Sequence, residues 1–221
     1  MFGTSDDFVF FSILLHVATL FAVIIVQWKD VKFLIKHPFS RPAQMIYLAT
    51  IPTVIIVILF KGVFEDAFSG GLLPICFAIT AVLLATTQLF AKNVPGKNIT
   101  PKTSILVGMV QGLAVLPGIS RSGSTICTAV LCGVSKEKAS SFSFLLSIPI
   151  ILASIASELL DAITTGQAVL SVPIVPTITA AITAFVVGCI SIKFMLSMFQ
   201  KVSLWWFVGY LLFISAVSLF V

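Results

Sequence analysis

The sequence predicts an all-α polytopic membrane protein, with about six transmembrane helices, one re-entrant helical hairpin from Thr103 to Val134, and a degenerate inverted repeat. Three observations carry that prediction. Of the 221 residues, 59% are hydrophobic and 10% charged, and the mean hydropathy is +1.17; a soluble domain is nearer half apolar and a quarter charged. The apolar stretches are long and continuous, whereas barrel strands are short and alternating. One stretch is broken at its middle by Pro117-Gly118 and followed by an arginine, Arg121. One membrane domain spanning residues 1–221 is expected, with 1–102 as the first repeat and 103–221 as the second.

The formal charge of +5 does not indicate nucleic-acid binding, because the basic residues lie mostly in short loops beside spans, where they set topology. Cys76, Cys127, Cys132 and Cys189 lie in apolar runs without metal-ligand pairing, and read as small buried thiols. The acidic start, Met1 to Asp7, leads into a full-length span and carries no cleavable signal pattern.

The first span runs from about Phe8 to Gln27, apolar except for Ser12, His16 and Thr19, and ends at the interfacial anchor Trp28. Lys29 to Ala43 reads as a loop of net charge +3, with Pro38 and Pro42 stopping helices. The second span, Gln44 to Phe60, contains Pro52; the loop after it carries Lys61, Glu65 and Asp66. The third covers Leu72 to Ala91 and is followed by Lys92, Lys97 and Lys102 with Pro95-Gly96 as turn chemistry. Thr103 to Val134 has the apolar content of one long span, yet Pro117-Gly118 divides it into halves too short for the roughly 20 residues of a crossing. The fourth span covers Ala139 to Leu160 with Pro149 inside, the fifth opens at Pro173 and Pro176 and reaches Ser197, and the sixth is anchored by Trp205 and Trp206.

Basic and acidic loops alternate along the chain. The positive-inside rule puts the basic loops in the cytoplasm and both termini outside, provided the hairpin enters and leaves on one side. A single crossing there would set the charge bias of the second half against the rule. Phe10 to Leu20 weakly echoes Phe142 to Leu152, and each opens a block of three spans. The two blocks would run in opposite orientations, the inverted-repeat plan of many transporters.

The stretch Gln111 to Thr125 concentrates the chemistry: an arginine, three serines, a threonine, three glycines and a proline. An arginine at membrane depth costs about 2.5–3.5 kcal/mol on insertion scales and is a functional candidate by default. The start of the second half-helix has amides without intrahelical partners and a partial positive charge, which suits an anion. Arg121 adds a planar fork matched to phosphate oxygens, Ser120, Ser122, Ser124 and Thr125 add hydroxyls, and Gly118 and Gly123 allow close backbone approach. A phosphate or pyrophosphate clamp fits better than a cation site. The competing readings are structural. Ser124 and Thr128 can bond back to their own helix carbonyls, and Gln111 can orient a ligand or bond a neighbouring helix. His16 reads as a helix–helix hydrogen bond or a catalytic group, and Glu158 and Asp161 as solvated boundary charges.

Leu116-Pro-Gly-Ile-Ser-Arg-Ser-Gly-Ser-Thr, followed by Phe142-Ser-Phe-Leu-Leu-Ser-Ile-Pro, resembles the bacterial undecaprenyl-diphosphate phosphatases of the bacitracin-resistance type. Leu15-His-Val-Ala-Thr-Leu resembles that family's first span, so the resemblance runs from about Phe8 to the end. It implies two re-entrant hairpins in an inverted-repeat fold of the plasma membrane, and hydrolysis of a C55 polyprenyl diphosphate to the monophosphate carrier of cell-wall precursors. By motif, the implied catalytic set is Arg121, Ser120 and Ser122, and the implied substrate-binding set is Gln111, Gly118, Gly123 and Thr125.

Family members open with a further Glu-rich hairpin that these 221 residues do not contain. A shortened product or mis-assigned start is therefore expected, with a phosphate grip and weak hydrolysis of its own. The alternative is a polyprenyl-phosphate binder or lipid transporter that does not hydrolyse. Phosphoryl transfer often recruits a divalent cation, for which the sequence offers no carboxylate cluster. The expected partners are the lipid substrate and membrane lipids, with a homodimer left open.

Overall fold

A computed structural model of the protein describes residues 5–67, 71–91, 94–164, 174–201 and 203–219. Within them lie α1 (Ser5–Val26), α2 (Trp28–Lys36), α3 (Arg41–Leu59), α4 (Lys61–Ala67), α5 (Leu73–Phe90), α6 (Pro101–Leu113), α7 (Arg121–Leu131), α8 (Lys136–Thr164), α9 (Ile174–Lys201) and α10 (Trp205–Val217). Among the described residues the extended structure is confined to the isolated bridge Lys97–Val134. Helices α3, α5, α8 and α9 are each long and apolar enough to cross a membrane, and α1 with α2, joined at a 90° bend, makes a fifth where the bent pair counts as one span.

Three details differ from the sequence expectation. The sixth span is a 13-residue helix, α10, about 20 Å at 1.5 Å per residue against a hydrocarbon core of about 30 Å. Part of the expected loop 29–43 is helical: α2 buries Val31 while Lys29, Asp30 and Lys32 stay exposed, so a charged surface had disguised an amphipathic turn. The second half-hairpin ends at Leu131, and the first starts at Pro101 because Thr100 caps it, its side chain accepting from the Thr103 amide at 3.2 Å.

The fold gathers into two compact units. The first comprises Met1–Phe33 and Leu145–Met195, hence α1, the first part of α2, the latter part of α8 and most of α9. In it Gly188 of α9 meets α1 closely, since a Cβ there would lie 3.1 Å from the Ala22 Cβ. The second comprises Leu34–Phe144 and Leu196–Val221 and contains the hairpin.

The second unit is apolar outside and carries polar side chains among the buried apolar residues within. Ile51, Ile55 and Ile58 of α3 and Ile75, Ile79 and Val82 of α5 are exposed, whereas Thr53, Thr80, Ser104 and Gln111 are buried. That suits a lipid solvent, where packing and interhelical hydrogen bonds replace the hydrophobic drive. Gly108 and Gly112 of α6 bring that helix against α3. A Cβ on Gly108 would fall 2.0 Å from the Ala49 carbonyl oxygen, and one on Gly112 2.8 Å from the Ile56 Cβ. The Thr53 hydroxyl donates across this seam to the Gly108 carbonyl at 2.8 Å. Helix α10 is tied to α5 by Ser215 Oγ donating to the Pro74 carbonyl at 2.8 Å, and Gln88 Oε1 accepts from the Leu204 amide at 3.1 Å.

Helices α6 and α7 pack together as a hairpin whose ends lie side by side. The Lys97 amide donates to the Gly133 carbonyl at 3.0 Å, and Lys138 Nζ donates to Asn98 Oδ1 at 2.7 Å. α7 stops because Gly133 takes φ of 92°, and the Gly133 and Val134 amides close back onto the Val130 and Ala129 carbonyls. At 13 and 11 residues, neither arm reaches across a bilayer. The hairpin therefore enters and leaves at one end, as the alternating loop charges anticipate.

Replacing Gly108 by alanine forces α6 off α3 and costs about 1–3 kcal/mol of stability, as overpacking does. Gly209→Ala, on an exposed face of α10 with nothing within 4 Å, is neutral or stabilising by up to about 1 kcal/mol. Thermal unfolding of the two variants in detergent is the check, and equal midpoints contradict the packing.

Candidate anion site at the hairpin turn

The turn between α6 and α7 is held by α5. Gly118 has φ of 91°, open to glycine, and a Cβ there would stand 2.9 Å from the Cys76 Cβ and 3.2 Å from the Leu73 carbonyl oxygen. Thr80, fully buried on α5, accepts from the Ser120 amide at 3.3 Å and directs its own hydroxyl at the Cys76 and Gly118 carbonyls, 3.1 and 3.4 Å away. Ser120 is the N-cap of α7: its Oγ accepts from the Gly123 amide at 3.2 Å and its carbonyl from the Ser124 amide at 2.8 Å. Gly123 fits under that cap because any Cβ would lie 2.8 Å from Ser120 Oγ.

What remains is a set of open donors. The amides of Arg121 and Ser122, the first two of the helix, have no hydrogen-bond partner among the described residues, and neither do the Arg121 guanidinium and the Ser122 hydroxyl. Arg121 is exposed and Ser122 half-buried, so both reach outward from the turn. Two amides, a hydroxyl and a fixed positive fork at a helix N-terminus favour a multiply charged anion.

The other candidates fall into two groups. Gly118, Ser120 and Gly123 shape the turn and the cap. Thr125 lies one turn deeper, buried, its hydroxyl paired with Ser143 of α8 and 2.9 Å from the Arg121 carbonyl. Gln111 is buried and donates from Nε2 to Thr53 Oγ1 at 3.4 Å, which is the helix–helix bond among its two readings. Thr128 bonds back to the Ser124 carbonyl at 2.7 Å. Thr80 and Thr53 were missed by sequence reasoning; a threonine within an apolar run is their only signal, and it does not say which carbonyl or amide the hydroxyl meets. Among the described residues no three His, Cys, Asp or Glu side chains gather as metal ligands.

A second polar cluster lies within the first unit. Ser12 Oγ donates to Glu158 Oε1 at 3.2 Å, and His16 Nδ1 stands 3.5 Å from both Ser12 Oγ and Glu158 Oε1. Glu158 is thus no solvated boundary charge. Its Oε2 is buried without a partner among the described residues, and His16 is not alone in its span.

Comparison with known proteins adds an independent line. The family described as "Bacitracin resistance protein BacA" matches residues 1–217. An undecaprenyl-diphosphatase of Carboxydothermus hydrogenoformans is 36% identical over 226 residues, covering 100% of this chain and 85% of that protein. One of Bacteroides fragilis is 35% identical over 222 residues, covering 96% and 82%. One of Treponema denticola is 37% identical over 226 residues, also covering 96% and 82%.

The His16–Glu158 pair predicts non-additive mutations. A double-mutant cycle with His16→Gln and Glu158→Gln is expected to show about 0.5–3 kcal/mol of coupling in unfolding free energy, as for residues in direct contact. Strict additivity counts against the pair.

Proposed function

Because the chain belongs to the bacitracin resistance protein BacA family, we infer that it is an undecaprenyl-diphosphatase, hydrolysing undecaprenyl diphosphate to undecaprenyl phosphate and inorganic phosphate. It is a multi-pass bacterial membrane protein, and its substrate is a polyprenyl diphosphate lipid. The product is the carrier reused in cell-wall synthesis. A binder or transporter that holds the lipid without cleaving it is not favoured, since the relatives are named for the hydrolysis.

The residue roles rest on one observation, the open donor set at the start of α7. In this reading Arg121 grips the diphosphate through its planar fork, while the Arg121 and Ser122 amides and the Ser122 hydroxyl hold further phosphate oxygens. Ser120 keeps the helix end capped, its Oγ accepting from the Gly123 amide. Gly118 and Gly123 leave the backbone reachable, and Thr125 and Gln111 brace α7 and α6 from behind. In the reaction a water oxygen bonds to the terminal phosphorus as the bridging phosphoanhydride bond breaks, and the electron pair leaves on undecaprenyl phosphate. Negative charge shifts onto the bridging oxygen, and a permanently protonated guanidinium is suited to stabilise it.

Arg121→Ala is expected to cut hydrolysis by the full-length protein about 100-fold or more, and Arg121→Lys to recover only part, because a point charge does not reproduce the fork. Phosphate release from polyprenyl diphosphate measures both. Near-normal turnover by Arg121→Ala removes the site assignment.

A further inference from the structure

We propose that Thr80 is a positioning residue for the phosphate grip: its hydroxyl, reaching from α5, fixes the Ser120 amide and the Gly118 carbonyl and so aims the first turn of α7 at the substrate. The proposal rests on the reading of Arg121 as the diphosphate-gripping residue. Thr80 is wholly buried, so its hydroxyl has no solvent to bond. It is placed between the two backbone groups that bracket the break, Gly118 on the side of α6 and Ser120 on the side of α7.

The chemistry explains why a hydroxyl is needed there. Gly118 and Ser120 lie two residues apart, one presenting a carbonyl and the other an N–H. A hydroxyl donates to one and accepts from the other with a single atom; a methyl does neither. Its hydrogen is shared with the Cys76 carbonyl, one turn earlier on α5, so the turn is pinned to a helix and not to another loop. Gly118 presses on the same helix at Cys76 and Leu73. Packing therefore sets the depth of the turn, and Thr80 sets its rotation. Rotation decides where the Arg121 and Ser122 amides point, because both follow Ser120 directly. Thr80 also occupies the Ser120 amide, which leaves the next two amides as the open pair.

Thr80 acts on the Arg121 and Ser122 amides, which hold phosphate oxygens present in substrate and transition state alike, and not on the guanidinium assigned to the developing charge. The signature is a raised KM with little change in kcat. In the full-length protein Thr80→Val is expected to raise KM for polyprenyl diphosphate about tenfold and leave kcat within about twofold. Thr80→Ser, which keeps the hydroxyl, restores KM to within about twofold. Thr80→Cys, a weaker donor and acceptor, falls between them. If Thr80→Val does not yield folded protein, the Ser and Cys variants still carry the order. A general packing defect would lower the folded fraction and appear in kcat per total protein, without rescue ordered by hydrogen-bonding strength. Wild-type KM in Thr80→Val or Thr80→Cys, with Arg121→Ala inactive, overturns the role of Thr80 alone. Normal turnover in Arg121→Ala overturns the underlying reading instead.

Discussion

An unpaired backbone amide is expensive in an apolar layer, and this cost organises the hairpin. A helix broken inside a bilayer exposes donors at each new start and acceptors at each new end, and lipid satisfies none of them. The break after α6 is accordingly surrounded by partners. Ser120 takes the Gly123 amide, Thr80 takes the Ser120 amide, and the Leu116 amide returns to Leu113. The amides of Gly118, Arg121 and Ser122 are left without a partner among the described residues, the last two beside the one arginine of the hairpin. Donors left open at a helix N-terminus suit an acceptor from outside, which is the ground for the proposed diphosphate grip.

The same constraint explains the packing around it. A hairpin with arms of 13 and 11 residues cannot anchor itself by spanning, so it must be held from its sides. The glycine seam lets α6 lie on α3 almost backbone to backbone, and a threonine hydroxyl bridges the seam. On the other flank α5 supports the turn through Cys76, Leu73 and Thr80, while α10 is itself bonded to the start of α5. The Thr125–Ser143 pair holds α7 to the beginning of α8. Hydroxyls and glycines perform here what large apolar side chains perform in a soluble core, because lipid rewards close approach and paired polar groups more than burial of carbon.

Much of this was legible in the sequence, for physical reasons that differ by element. Long apolar runs located α3, α5, α8 and α9, and Pro117-Gly118 with the alternating loop charges located a re-entrant hairpin. The Ser120 cap and the close fit of Gly123 beneath it followed from residue types alone, and the expectation of an anion site at residues 120–123 rests on the same types. Contacts between distant segments were not legible. Nothing in a run such as Leu73–Phe90 singles out Thr80, because its partners lie across a turn whose rotation is a tertiary property. His16 and Glu158 looked unrelated for the same reason. Helix α2 was hidden by its charges, and α10 looked like a full span because its flanking residues are as apolar as the helix itself.

The central claim, that the amides and guanidinium opening α7 hold the diphosphate, is tested most directly by amide NMR. Protein labelled with nitrogen-15 is titrated with a non-hydrolysable polyprenyl methylene-diphosphonate. The account predicts that the Arg121 and Ser122 amide protons move downfield on binding, as new charge-assisted hydrogen bonds form, while those of Gly123 and Ser124, already bonded to Ser120, move little. Saturable binding that leaves the Arg121 and Ser122 amides unshifted contradicts it.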